Sequence, residues 1–171
     1  MTSLRVAILT VSDRSARGER PDRSGPLLER FIAEQGWQIT KMAIVPDEEE
    51  AIRQILLQWC DEESADLILT TGGTGVSPRD VTPEATQSVI ERPLPGIPEA
   101  IRAASLKITP HAMLSRATAG IRKRTLIINL PGSPKGAIES LQIALPALPH
   151  AVALLRESPD AEKGHHLQSG G

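Results

Sequence analysis

Thr70-Thr71-Gly72-Gly73-Thr74-Gly75 runs almost directly into Ser77-Pro78-Arg79-Asp80 and then Thr82-Pro83-Glu84. Glycines let a backbone approach a ligand closely and turn its N–H groups inward as a nest for an anion. A guanidinium, a carboxylate and a helix N-terminus follow in the same stretch, a combination suited to holding phosphate. The loop is not a P-loop, since no Gly-Lys-Ser/Thr closes it, and its glycines do not fit the dinucleotide spacing G-x-G-x-x-G. By itself, a glycine-rich loop of this kind is as often a tight strand-to-helix turn.

Other residues become candidates by where they fall. In an open α/β sheet, ligands bind beyond the carboxyl ends of the strands. The loops to inspect are therefore Ser12-Asp13-Arg14, Pro46-Asp47, residues 72–80 and residues 129–135. Asn129-Leu130-Pro131-Gly132-Ser133-Pro134-Lys135 combines a rigid turn, free N–H groups and a cation at a helix start. Each candidate has a plainer reading beside the functional one. Asp47 fits a helix N-cap, Asp80 a turn carboxylate paired with Arg79, Ser12 to Arg14 a solvated turn, and residues 129–135 an ordinary capped helix start.

The elements that must position these residues alternate along the chain. Residues 4–11 are a nearly continuous apolar run, the pattern of a strand covered on both faces. A polar stretch from Ser15 to Arg23 precedes a helix opened by Ser24-Gly25-Pro26 and ended at Gly36. Residues 37–45 read as a less buried strand, followed by a helix with Ile52, Ile55, Leu56 and Trp59 on one face. Residues 66–71 form a short strand aimed at the glycine loop. Thr82 is expected to N-cap the next helix, with Pro83 at its first position. A helix over 97–108, a short strand within 116–121, a buried strand over 126–130 and a final helix from Lys135 or Gly136, bent or broken at Pro146 and Pro149, complete the pattern. This predicts a doubly wound α/β fold, a mostly parallel open sheet with helices on both faces, in one domain over residues 1–156. Residues 157–171 lack apolar periodicity and are expected to be a disordered tail.

Composition narrows the partners. The 171 residues carry 19 basic and 21 acidic side chains, a formal charge of −2, so no overall field draws nucleic acid or an anionic membrane. Phe31, Trp37 and Trp59 are the aromatics, too few to form a stacking platform for single strands. No apolar run approaches the roughly 20 residues that span a bilayer, and Met1-Thr2-Ser3-Leu4-Arg5 lacks a signal-peptide layout, which points to the cytosol. Cys60 is the single cysteine, excluding a Cys-rich zinc site, and its context reads as a buried helix face. His111, His150, His165 and His166 show no metal-ligand pattern, and Arg122-Lys123-Arg124 reads as solvated surface.

The continuous stretch TTGGTGVSPRDVTPEAT resembles the signature of the Mog/MoaB family, which includes the amino-terminal domain of gephyrin-type proteins. The resemblance extends over residues 4–156, through VSDR at 11–14, IVPD at 44–47, PGIPE at 95–99 and LSRATAGIRKRTLIINLPGSPK at 114–135. It implies a doubly wound α/β domain, a homotrimer, and transfer of AMP from ATP to the terminal phosphate of molybdopterin with release of pyrophosphate. It matches Asp47 and Asp80 to the two catalytic carboxylates, and hard oxygen ligands suit Mg²⁺. Thr71, Gly72, Gly73, Thr74 and Gly75 would then bind ligand together with Ser12, Asp13, Arg14, Ser115, Asn129, Pro131, Gly132 and Lys135. Molybdate insertion would fall to a separate partner protein. The rival reading is a non-catalytic molybdopterin carrier or scaffold using the same pocket. A generic nucleotide-binding oxidoreductase would need a dinucleotide fingerprint that Ser12-Asp13-Arg14 does not supply.

Overall fold

The computed structural model describes residues 3–159 and 161. In chain order its elements are β1 Arg5–Val11, α1 Asp13–Ala16, α2 Ser24–Glu34, β2 Gln38–Val45, α3 Glu49–Asp61, β3 Leu67–Thr71 and α4 Thr82–Val89. There follow β4 Arg92–Pro93, α5 Gly96–Leu106, β5 Ala119–Arg122, β6 Thr125–Leu130, α6 Pro134–Ala144 and α7 Leu148–Leu155, with 3-10 turns at Pro110–Leu114 and Leu145–Ala147.

The strands form one sheet in the order β2-β1-β3-β6-β5-β4, parallel from β2 to β6 and antiparallel beyond. β3 and β6 are buried along their whole length, which is why their sequences are apolar without alternation. Register sorts their side chains into two cores. Ile8, Leu69 and Ile128 are cross-strand neighbours and pack under Leu28, Ile32, Ile101, Leu141 and Leu148 of α2, α5, α6 and α7. Ala7, Ile68 and Ile127 face the other way, against Ile52, Leu56, Trp59, Ala85 and Val89 of α3 and α4. Helices thus cover both faces, as the alternation predicted. The same register sets Thr10, Thr71 and Leu130 side by side, so the loops after β1, β3 and β6 leave the sheet together.

Several local expectations are corrected. Thr82 does not cap α4: its hydroxyl donates to Gly72 O at 2.8 Å, and the cap position is Val81, without a side-chain bond. Asp47 does not cap α3, whose cap position is Glu48. Ser12 instead caps a single-turn helix that the polar composition of 13–16 concealed, its hydroxyl accepting Ser15 N at 3.2 Å. The final helix starts at Pro134, where Ser133 accepts Gly136 N at 3.1 Å. Pro146 breaks the α-helix as expected, in a 3-10 turn over Leu145–Ala147 that leads straight into α7. Pro134–Leu155 is consequently a 22-residue helical stretch with an 18-residue window of mean hydropathy 1.4, by length and composition alone enough to cross a membrane, although no unbroken apolar run marks it in the sequence. Its Ala137, Leu141, Leu148 and Val152 are buried against the sheet. Of residues 157–171, positions 157–159 and 161 are described, with Ser158 N bonded to Ala153 O at 3.0 Å and Ala161 buried; the rest lie outside the described residues.

Candidate functional site

At the carboxyl ends of β1, β3 and β6 the glycine loop is pressed against its neighbours. Gly72 and Gly73 take positive φ of 108° and 68°, values that L side chains rarely adopt. A Cβ at Gly72 would run into the Val11 carbonyl, and one at Gly73 into the Thr82 hydroxyl, with Asp47 Oδ1 3.2 Å away. Gly72 N donates to Leu130 O, and the Thr71 hydroxyl to Pro131 O, binding the loop to the turn after β6.

Two carboxylates meet at this loop. Asp47 Oδ2 accepts Asp13 N at 2.8 Å while Asp47 N donates to Asp13 Oδ1 at 3.0 Å. Burial raises the Asp47 carboxyl above the usual carboxylate range, with Asp13 and Asp80 adding like charge. Asp80 Oδ2 accepts Ser77 N at 3.0 Å and lies over Gly75. Arg79 is not its partner. That guanidinium crosses to Asp13, donating from Nε at 3.0 Å and Nη2 at 2.8 Å, and holds the Asp13 carboxyl below its ordinary value. Arg116 secures the other side of the loop, its guanidinium donating to Gly75 O and Asp80 O at 2.7 Å each and pairing with Glu84.

The loop divides two cavities. One, of about 660 Å³, is lined by Ser12, Asp47, Thr71, Gly72, Gly73, Asp80 and Gly132 among the expected residues. The other, of about 330 Å³ and more apolar, is lined by Thr74, Gly75, Ser115, Asn129 and Pro131, together with Arg102, Ile108 and His111. Asp13, Arg14 and Lys135 line neither. Lys135 is 84 % exposed at its side chain and faces Glu139. Asn129 contributes wall, yet its amide donates to the Thr70 and Thr86 hydroxyls at 2.9 Å and its carbonyl accepts Thr118 N at 3.2 Å. Its polar atoms are committed inside the protein.

Sequence reasoning missed Arg20, Asp22 and Arg23, which line the larger cavity from the segment before α2. The available signal was Asp22, three residues before Gly25: its Oδ1 accepts Gly25 N at 3.1 Å, as a capping side chain does. Arg102 and His111 carried no signal, because α5 and the turn at 110–114 meet the site only through tertiary packing.

Among the described residues, no group of three His, Cys, Asp or Glu side chains could hold a metal by itself. Two carboxylates beside the glycine loop nevertheless suit Mg²⁺, which characteristically takes one or two carboxylates and completes its shell with phosphates and water.

Residues 7–150 match the family model described as a probable molybdopterin binding domain. The chain belongs to this family. It is 43 % identical to a molybdopterin adenylyltransferase of Helicobacter pylori, over 91 % of this chain and 89 % of that protein. Gephyrin of Dictyostelium discoideum is 49 % identical over 90 % of this chain, which spans only 23 % of gephyrin's length. The crystal structure of the molybdopterin biosynthesis enzyme MoaB from Thermus thermophilus superposes with a TM-score of 0.86 at 51 % identity, covering 91 % of this chain and 98 % of that one. The family's fold is the doubly wound sheet described above, and the expected resemblance is borne out.

Proposed function

We propose that this chain is a molybdopterin adenylyltransferase of molybdenum-cofactor biosynthesis, transferring AMP from ATP to molybdopterin. The observation that carries the reading is the placement of Asp47 and Asp80, from different loops, against one glycine loop in the wall of one cavity.

In the reaction, an oxygen of the terminal phosphate of molybdopterin attacks the α-phosphorus of ATP. The new P–O bond forms as the bond to the β-phosphate oxygen breaks, and pyrophosphate departs with that electron pair. Such a transfer asks the protein for positioning and charge stabilisation rather than a covalent nucleophile. Asp47 and Asp80 would hold Mg²⁺, which when bound supplies neutralisation of the crowded phosphates. The small residues Gly72 and Gly73 let the phosphate chain approach the backbone closely, with Gly72 N held by Leu130 O, and Ser12, Thr71 and Gly132 shape the walls. The more apolar cavity on the other side, with Ser115, Thr74 and Pro131, suits the flat pterin. Asp13 acts by holding Asp47.

The same reading carries a homotrimer, for which exposed Val76, Ile108 and Met113 offer apolar surface, a cytoplasmic location, and a separate partner protein for molybdate insertion. Sedimentation giving only a monomer at micromolar concentration would remove the trimer.

The test is formation of adenylylated molybdopterin from ATP, dependent on Mg²⁺ and molybdopterin. Product from the wild type supports the transferase. Molybdopterin binding without product supports a carrier instead.

A further inference from the structure

We propose that Arg20 and Arg23 seat the β- and γ-phosphates of the nucleotide, and hence the pyrophosphate that leaves; the proposal rests on the transferase reading. Both residues line the larger cavity from the segment between α1 and α2. Asp47, Asp80 and the glycine loop line it from the ends of β2 and β3.

The charge balance of this cavity selects them. Its lining includes three carboxylates, Asp22, Asp47 and Asp80, and two cations, Arg20 and Arg23. A triphosphate adds several further negative charges, and planar guanidinium groups are suited to bidentate phosphate recognition. Of the neighbouring arginines, Arg79 is committed to Asp13 and Arg116 to Glu84, and Arg14 lines neither cavity. Among the described residues, Arg20 and Arg23 make no ion pair or hydrogen bond through their side chains.

Asp22, lying between them, pairs with neither. Its Oδ2 accepts the Thr10 hydroxyl at 2.8 Å, and its Oδ1 accepts Gly25 N at 3.1 Å and the Ser24 hydroxyl at 3.4 Å. These bonds fasten the segment to the end of β1 and the start of α2, holding both arginines at the cavity without neutralising them. The seat is therefore anchored by a carboxylate whose own charge is spent on the scaffold.

The discriminating ligands differ only in the phosphates concerned. Calorimetry with Mg-ATP, Mg-pyrophosphate and AMP on the wild type, Arg20→Ala, Arg23→Ala and the double variant should show ATP and pyrophosphate affinity falling about tenfold or more in the double variant. AMP affinity should stay within about twofold, and Arg20→Lys with Arg23→Lys should recover part of the loss. In turnover, KM for ATP and the inhibition constant of pyrophosphate should rise together with kcat changed less. Unchanged pyrophosphate and ATP affinity overturns the proposal, as does an equal loss of AMP affinity, which would mark a general disruption of the pocket. A wild type that makes no adenylylated molybdopterin refutes the transferase reading separately, while pyrophosphate binding still decides the arginines.

Discussion

Asp13 and Asp47 grip each other reciprocally, each backbone N–H donating to the other's carboxylate, at 2.8 Å and 3.0 Å. One carboxylate of the pair is neutralised by Arg79 and the other is left on the glycine loop. Removing the second should be far more damaging to chemistry than releasing the first from Arg79. Asp47→Ala and Asp80→Ala are each expected to lower product formation by about 100-fold or more while molybdopterin still binds. Arg79→Ala, which frees Asp13 without deleting Asp47, should cost about tenfold. Quantifying adenylylated molybdopterin for variants with a wild-type melting profile checks the order; equal losses at all three positions would contradict it.

Arg116 is a positioning residue, since its guanidinium bonds to two carbonyls of the loop, Gly75 O and Asp80 O, besides Glu84. A lysine cannot reproduce a planar group donating to three acceptors. Arg116→Lys is expected to lower kcat about tenfold with a smaller change in KM, and Arg116→Ala further still. If Glu84→Gln leaves kcat near wild type while Arg116→Lys does not, the carbonyl bonds are the ones that matter. Wild-type kinetics for Arg116→Lys would end the argument.

Gly73→Ala tests the loop's backbone. The substitution meets both a positive φ of 68° and the Thr82 hydroxyl that bonds Gly72 O. We expect a loss of about 1–3 kcal/mol in unfolding free energy together with a loss of turnover. Gly96→Ala, where a Cβ meets open space, is the control and should change neither. Denaturant unfolding with matched assays reads both.

How much of this was legible depends on how local the cause is. The order of strands and helices followed from the unbroken apolar runs at β1, β3 and β6, whose residues are buried on both faces. That the glycine loop, Asp47 and Asp80 come together at one end of the sheet was legible because loops after parallel strands converge. What escaped were partners supplied by tertiary packing. Thr82 reads locally as a cap, but its hydroxyl found a buried carbonyl ten residues back. Arg79 reads as the partner of adjacent Asp80, but reaches Asp13 across the site. Arg20 and Arg23 stand in a polar stretch with no pattern of their own, and only the bonds of Asp22 to Thr10 and Gly25 bring them to the cavity.

At the opposite end of the sheet, Asp66 is 4 % exposed at its side chain and receives both Arg5 and Arg156. Burial alone would raise its carboxyl, but the bonds from Arg5 and Arg156 outweigh that and leave it lowered. A carboxyl whose folded value lies below its unfolded one stabilises the fold above the unfolded value, near 4, and loses that contribution as pH falls toward the folded value. Asp66→Asn should therefore cost about 2 kcal/mol at neutral pH, roughly 5 °C in Tm, and less on going below about pH 4. Melting curves from pH 7 to pH 3 check this. A constant difference across that range would show that the charge of Asp66 is not the cause.

Cys60 supplies the last test, of the core rather than the site. It is fully buried on α3 beside the cluster of Ile52, Leu56 and Trp59, and burial pushes its thiol up to about 12. Thiolate is the reactive form, so a group both buried and held protonated should be inert. A thiol-specific chromogenic reagent is expected to leave the native protein unmodified over hours at pH 8 and to titrate one thiol per chain in denaturant. The rate in native conditions then reports opening of α3 from the sheet, and should rise in a core variant such as Leu56→Ala, whose cavity costs about 2–5 kcal/mol. Rapid modification of the native wild type would place Cys60 at the surface and contradict the packing of α3.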